Sequence, residues 1–235
     1  MKILNILSLF ALLLSLTGCS MFGLDLQEDY DRNPHTLDPH TYKNTWEYIK
    51  SRSIENPTDT ILKSMYQAII YAGIDTNEYT KPNRTYILMH NDAIRRLASN
   101  VVQPDCFFGA VTVEGKTPLM LQWEDYPKDY VKNYLLYLIA EKEYSHYTLP
   151  PDEDQHAQTL APVGSLAAQP DGITMLDWLP NPNSVLYIKV LNSSPSNTSD
   201  YPIQLNDVRN ARTSSLLMTN GVAHVIDRFL TTTIR

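Results

Sequence analysis

Asn220-Gly221-Val222-Ala223-His224-Val225-Ile226-Asp227-Arg228-Phe229-Leu230 is the stretch on which the reading of this chain turns. Asn220-Gly221 supplies the positive φ that a tight turn requires. The residues after it alternate as a strand does. Val222, His224 and Ile226 share one side, and Ala223, Val225 and Asp227 share the other. The last strand is therefore expected over residues 222–230. His224 reads as a half-buried imidazole bonded to nearby backbone, since buried polar groups find partners. The sharper alternative is a catalytic or metal role. Asp227 is expected to bond turn amides or a neighbouring basic group.

Working outward, the C-terminal part is β-like at residues 148–149, 159–160, 173–176, 185–191 and 215–218. Residues 192–200, rich in Asn, Ser and Pro, form a loop. The N-terminal part is helical. Asn44 and Glu47 make a capping-box pair at the start of a first helix, and Asn56-Pro57 breaks it. A second helix begins near Thr58 or Asp59. It carries Ile61, Leu62, Met65, Ala68, Ile69 and Ala72 at helical spacing and stops at Gly73. Thr85-Tyr86-Ile87-Leu88-Met89 is a short strand, His90-Asn91-Asp92 a turn, and residues 93–98 a helical turn or two. Residues 107–113 are expected to pair with residues 119–123 across a turn at Glu114-Gly115-Lys116. Pro127 opens a third helix lined by Val131, Tyr134, Leu135, Leu138 and Ile139. Helices early and strands late predict an α+β fold, with helices on one side or end of a mainly antiparallel sheet or sandwich.

The chain opens with Met1-Lys2, runs almost wholly apolar from 3 to 16, and closes that run with Leu16-Thr17-Gly18-Cys19. The run is too short to span a membrane and has the flanks of a secretory signal. Its last four residues resemble the bacterial lipobox. That resemblance implies cleavage before Cys19 and lipid attached to Cys19. Residues 1–18 are then signal, residues 19–43 a tether carrying Asp25, Glu28, Asp29 and Asp31, and residues 44–235 the domain. The expected location is the cell envelope, anchored by lipid, at the outer membrane and surface-exposed. Cys106 reads as a buried, inert thiol, with a reactive one as the alternative.

Three segments resemble a fasciclin domain. Thr85-Tyr86-Ile87-Leu88-Met89-His90-Asn91-Asp92-Ala93-Ile94 is similar to that family's first signature, matching at Thr85, Asn91 and Ala93, with Asp92 conservative. The stretch from Asn220 to Leu230 resembles the second signature almost throughout. Tyr134-Leu135-Leu136-Tyr137-Leu138-Ile139 stands where the family has a leucine-rich helix ending in Tyr-His. The resemblance covers about residues 44–231. It implies a β-sandwich wedge with helices packed along one side, and a role in adhesion at the cell surface. It assigns structural roles to Thr85, Asn91, Asp92, Ala93, Tyr137, Asn220, Gly221, His224 and Asp227. Met89 and His90 replace the family's proline and threonine, and Leu138 replaces its histidine, so the receptor binding tied to that histidine does not carry over. Residues 101–124 are extra sequence. Phe107, Phe108, Trp123 and Tyr126 there either close the core or form a partner surface.

The 19 basic and 26 acidic side chains give a formal charge of −7, without a basic stripe, which argues against nucleic acid as a partner. There is no nucleophile elbow, phosphate loop or zinc-binding helix motif, so no catalytic residue, metal or cofactor is expected. Gly164-Ser165 lacks the flanking pattern of a nucleophile, and Asp152-Glu153-Asp154 reads as a solvated acidic loop. The expected partners are the membrane through the anchor and another surface protein or a glycan. The first reading is a non-catalytic adhesion or protein-interaction module. The second is a surface glycan-binding accessory lipoprotein of a polysaccharide-uptake system. It rests on 15 Tyr and 3 Trp, with Tyr144, Tyr147, Trp178 and Tyr201 near loops.

Overall fold

Residues 38–175, 178–191 and 201–233 are described by the computed structural model. Cys19, the signal segment and the loop at 192–200 lie outside them. Residues 39–43, placed in the tether by sequence, run beside a strand of the domain: the Leu217 amide donates to the Pro39 carbonyl at 2.8 Å and the Thr41 amide to the Leu217 carbonyl at 2.9 Å.

The first helix, α1 (Thr45–Ser51), starts as its capping box dictates, with Asn44 Oδ1 accepting from the Glu47 amide at 2.9 Å. The second, α2 (Lys63–Ala72), ends on Gly73 in the left-handed conformation. It begins several residues later than the sequence suggests, after turns that follow Pro57. Of its expected apolar stripe, Leu62 (just before the helix), Met65, Ala68, Ile69 and Ala72 are buried, while Ile61 is only half-buried. Strand β1 (Arg84–Met89) leads into the single turn α3 (Asn91–Ile94). The helical reading stops there. Leu97–Ala98 (β2) and Val101–Val102 (β3) form a small hairpin instead.

The expected hairpin between residues 107–113 and 119–123 does not form. Phe107–Ala110 is a helical turn, α4, followed by Val111–Val113 (β4). Residues 118–120 and 123–125 are 3₁₀ turns. The partner of β4 comes from far along the chain. Next come α5 (Lys128–Tyr137), β5 (Ile139–Ala140), β6 (Gln155–Gln158) and β7 (Ile173–Met175), and it is β7 that pairs with β4. The remaining strands are β8 (Val185–Val190), β9 (Ile203–Leu205), β10 (Arg209–Asn210), β11 (Thr213–Met218) and β12 (Gly221–Ile226). Residues 148–149 are a turn rather than a strand, and the last strand ends at Ile226, not Leu230.

The fold is mixed α+β, with several small sheets and no closed barrel. One four-stranded sheet has the order β11-β12-β1-β5 and the other the order β10-β9-β8-β6. Among the named strands of the described residues, pairing is antiparallel except at the centre of the first sheet, where β1 and β12 run parallel, Arg84 opposite Gly221 and Met89 opposite Ile226. These two strands are buried on both faces, which suits their near-continuous apolar sequence. Gly221 is required at this junction: a Cβ there would lie 2.2 Å from the Arg84 carbonyl oxygen, at a φ of +149°. Gly109 is required for the same reason, its Cβ position falling 1.9 Å from the Gln103 carbonyl oxygen.

The 101–124 region contributes to the core. Phe107, Phe108, Trp123 and Tyr126 are all buried. The Phe107 ring meets those of Phe108, Trp123, Tyr126, Tyr134 and Phe229 at 4.9–5.9 Å between centroids. Of the two readings of these aromatics, core closure is the one observed. Cys106 is buried too, and its thiol donates to the Gln103 carbonyl.

Candidate functional site: a motif junction and an open cleft

The motif residues assemble around the β1–β12 pair. Asn220, just before the close approach of Gly221, is buried and spends its whole side chain on the fold. Its oxygen accepts from the Thr45 amide at 2.9 Å. Its nitrogen donates to the carbonyls of Tyr79 and Lys81 and to the Tyr86 hydroxyl at 3.0–3.1 Å. Thr85 is fully buried, donates to the Lys142 carbonyl and accepts from the Tyr144 amide, both at 2.8 Å. Asn91 works at longer range. Its oxygen accepts from the Ser64 amide at 3.0 Å and its nitrogen donates to the Thr60 carbonyl at 2.7 Å, so it caps α2, whose own Leu62 offers no capping side chain. The Asp92 amide is held by His90, and Ala93 is buried beside it.

His224 is fully buried, rather than half-buried as the alternation suggests, because layers cover both faces of β12. Its Nε2 donates to the Tyr144 carbonyl at 2.8 Å and its Nδ1 accepts from the Ser215 amide at 3.1 Å. The second bond is offered by an irregularity in β11, where the register slips between Thr213 and Leu216 and Ser215 takes a positive φ. Burial pushes the His224 pKa down to about 4, so the ring is neutral at pH 7. Tyr137 is buried at the end of α5, donates to the Val185 carbonyl at 3.2 Å and accepts from Asn206 at 2.8 Å. Asp227 faces Arg228 at 3.2 Å and Arg212 at 3.8 Å, the basic neighbours expected for it.

Elsewhere the sequence candidates stay apart. Tyr147 and Tyr201 are exposed and Tyr144 and Trp178 half-buried, but no ring pair joins any two of the four among the described residues. Asp154 of the acidic loop pairs with Lys189 at 3.3 Å. No group of three or more His, Cys, Asp or Glu among the described residues is arranged to hold a metal ion.

A cleft that sequence reasoning missed lies between α2 and the 3₁₀ turns of residues 118–125. It encloses about 530 Å³ and is lined by Ser64, Tyr66, Gln67, Ile70, Tyr71, Arg95, Phe108, Gln122, Trp123 and Glu124. Its floor is the buried pair Phe108 and Trp123, whose rings lie 5.0 Å apart, with the indole N–H fixed to the Ser64 carbonyl at 3.1 Å. Half-exposed Tyr66 and Tyr71 form its rim; Tyr66 stacks on Trp46, and the Tyr71 hydroxyl donates to the Tyr126 carbonyl. Arg95 lies over the Phe108 ring at 4.8 Å and donates to the Leu119 and Leu121 carbonyls. The signal for this site was distributed over residues 64–71, 95, 108 and 122–124, and only folding brings them together.

No protein-family model and no curated protein matches the chain.

Proposed function

We propose that this chain is a lipid-anchored, fasciclin-like protein of the cell envelope that acts as a non-catalytic adhesion or protein-interaction module. On this reading the domain is a sandwich wedge flanked by helices, attached through acylated Cys19 at the outer membrane. What supports it is the junction between the two signature segments. They lie side by side as β1 and β12, and Thr85, Asn91, Asn220 and His224 each direct their polar atoms at backbone groups of neighbouring elements. A neutral imidazole with both nitrogens engaged has no lone pair or proton to lend to a substrate. Such a frame leaves surface clefts and loops as the useful parts. Anchoring raises their effective concentration toward anything on the same membrane.

Two measurements test the reading. Metabolic labelling with palmitate should mark the wild-type protein and leave Cys19→Ala unlabelled and lost from the membrane fraction; equal labelling or retention rejects the anchor. Crosslinking on intact cells should return the same partner in independent trials, whereas repeated recovery of the uncrosslinked chain alone rejects the interaction role. The glycan-binding reading keeps only the half-exposed rings of Tyr66 and Tyr71 at the rim of the cleft in its support, since the four loop rings form no platform among the described residues.

A further inference from the structure

The outer strand of the first sheet is β11, and the chain covers its edge with residues 39–43. An uncovered strand edge is a template for another strand, so what covers it matters. Residues 39–41 form a short strap parallel to β11, with His40 opposite Leu217. The Leu217 amide donates to the Pro39 carbonyl and the Thr41 amide to the Leu217 carbonyl, while the Thr41 hydroxyl reaches Met218 Sδ at 3.1 Å. Immediately after the strap the chain is fixed to the domain by other means. The Thr219 amide donates to the Lys43 carbonyl at 3.0 Å, Asn44 caps α1, and Thr45 is fully buried with its amide on Asn220 Oδ1. Between strap and anchorage stands one residue, Tyr42, which is 77% exposed and has a φ of +55°. A left-handed backbone is unfavourable for a bulky L-residue, because its Cβ crowds the following carbonyl.

We infer that residues 39–41 are exchanged between copies of this chain, the strap of one molecule covering the β11 edge of a second. A short hinge under strain invites such exchange. In the closed molecule the chain bends at Tyr42 to lay the strap on its own sheet. With the strap on a second copy the hinge opens, and Tyr42 returns to the extended region that aromatic residues favour. The strap's bonds to β11 are remade on the second copy, because edge and strap are the same in both. A reciprocal exchange therefore keeps these bonds and relaxes two hinges. The entropy of association opposes it. That opposition weakens as the chains are concentrated, as they are when two of them share one membrane. The occupant is a second copy because the edge already holds this sequence in register. Pro39 has no amide proton and offers its carbonyl, which is what the Leu217 amide takes, and Thr41 sets its hydroxyl against Met218. The exchange depends on the strap and its hinge alone, whatever the domain binds elsewhere.

The experiment uses the full chain in lipid vesicles at several protein densities. Two variants with different tags, His40→Cys and Leu217→Cys, are mixed, oxidised and digested, and the disulfide-linked peptides are identified by mass spectrometry. The double variant His40→Cys/Leu217→Cys, taken alone and dilute, is the control. It should close within one chain, since the two residues lie opposite each other. The mixture should give the 40–217 disulfide between differently tagged chains, in a yield that rises with protein density. Tyr42→Gly, which adopts a positive φ without strain, should lower that yield at least threefold. Tyr42→Val, whose branched side chain tolerates a positive φ less well, should raise it. Absence of the interchain 40–217 link at every density, beside a closed control, overturns the inference. So does a yield that Tyr42→Gly leaves unchanged, or a control that fails to close, because the strap then does not sit on the edge. The link is read by residue pair, so its outcome is separate from that of palmitate labelling at Cys19 and of partner crosslinking on cells.

Discussion

His224 is the residue whose chemistry is most changed by its surroundings. Burial holds its pKa near 4, against about 6.5 in an unfolded chain. Between those values the unfolded state binds a proton that the folded state refuses. Stability therefore falls as pH drops from about 6.5 to 4, and His224 adds no further loss below that. The window is worth on the order of 3 kcal/mol. Urea unfolding across this range should show a steeper acid loss for the wild type than for His224→Gln; parallel curves would show that the ring does not titrate this way. His90, whose pKa burial also lowers, is present in both proteins and cancels. Glu78 acts in a lower window. Bonds from Lys81 and Arg84 hold its pKa down, so its stabilisation is lost only as pH falls below the ordinary carboxylate range.

At the scale of elements, the fold is stitched by side chains that serve the ends of other segments. Asn91 is the clearest case, since it caps α2 from the turn after β1. Asn91→Ala should cost about 1–2 kcal/mol, as loss of a cap does. Hydrogen exchange should localise the change to the first turn of α2, with the Ser64 amide exchanging faster. A loss spread evenly over the domain would argue against the capping role. Asn220 does the same for a wider set, joining the start of α1, the 3₁₀ turn at Thr76–Tyr79 and β1. The Asn-Gly pair was legible as a turn from sequence, but its burial and its five bonds to four residues were not, because those residues lie at 45–86.

At the scale of the whole molecule, Phe107 joins the 101–124 region to α5 and to the segment after β12. Phe107→Ala should destabilise the domain by about 3–5 kcal/mol through lost burial and the cavity left behind. It should also do so cooperatively, lowering the urea midpoint seen by tryptophan fluorescence and by circular dichroism together. Separate transitions would mean that the region folds as an independent appendage. The surface outside the core carries the cleft, and the exposed apolar side chains Leu97, Val101, Leu119 and Met120 lie on the β2–β3 hairpin and the 3₁₀ turn of residues 118–120 near it.

Local chemistry was readable along the chain wherever one short segment contains both partners. The capping box of α1, the glycine stop of α2, the apolar run of β1 and the Asn-Gly entry to β12 are of this kind, since each depends on backbone preferences a few residues apart. The tertiary structure alone decided that β1 and β12 run parallel at the centre of a sheet, that residues 111–113 pair with residues 173–175 instead of with their neighbours, and that a ring-lined cleft opens beside α2. Each of these joins residues far apart in sequence. Periodicity reports which face of a segment is apolar, but says nothing of which distant segment will cover it.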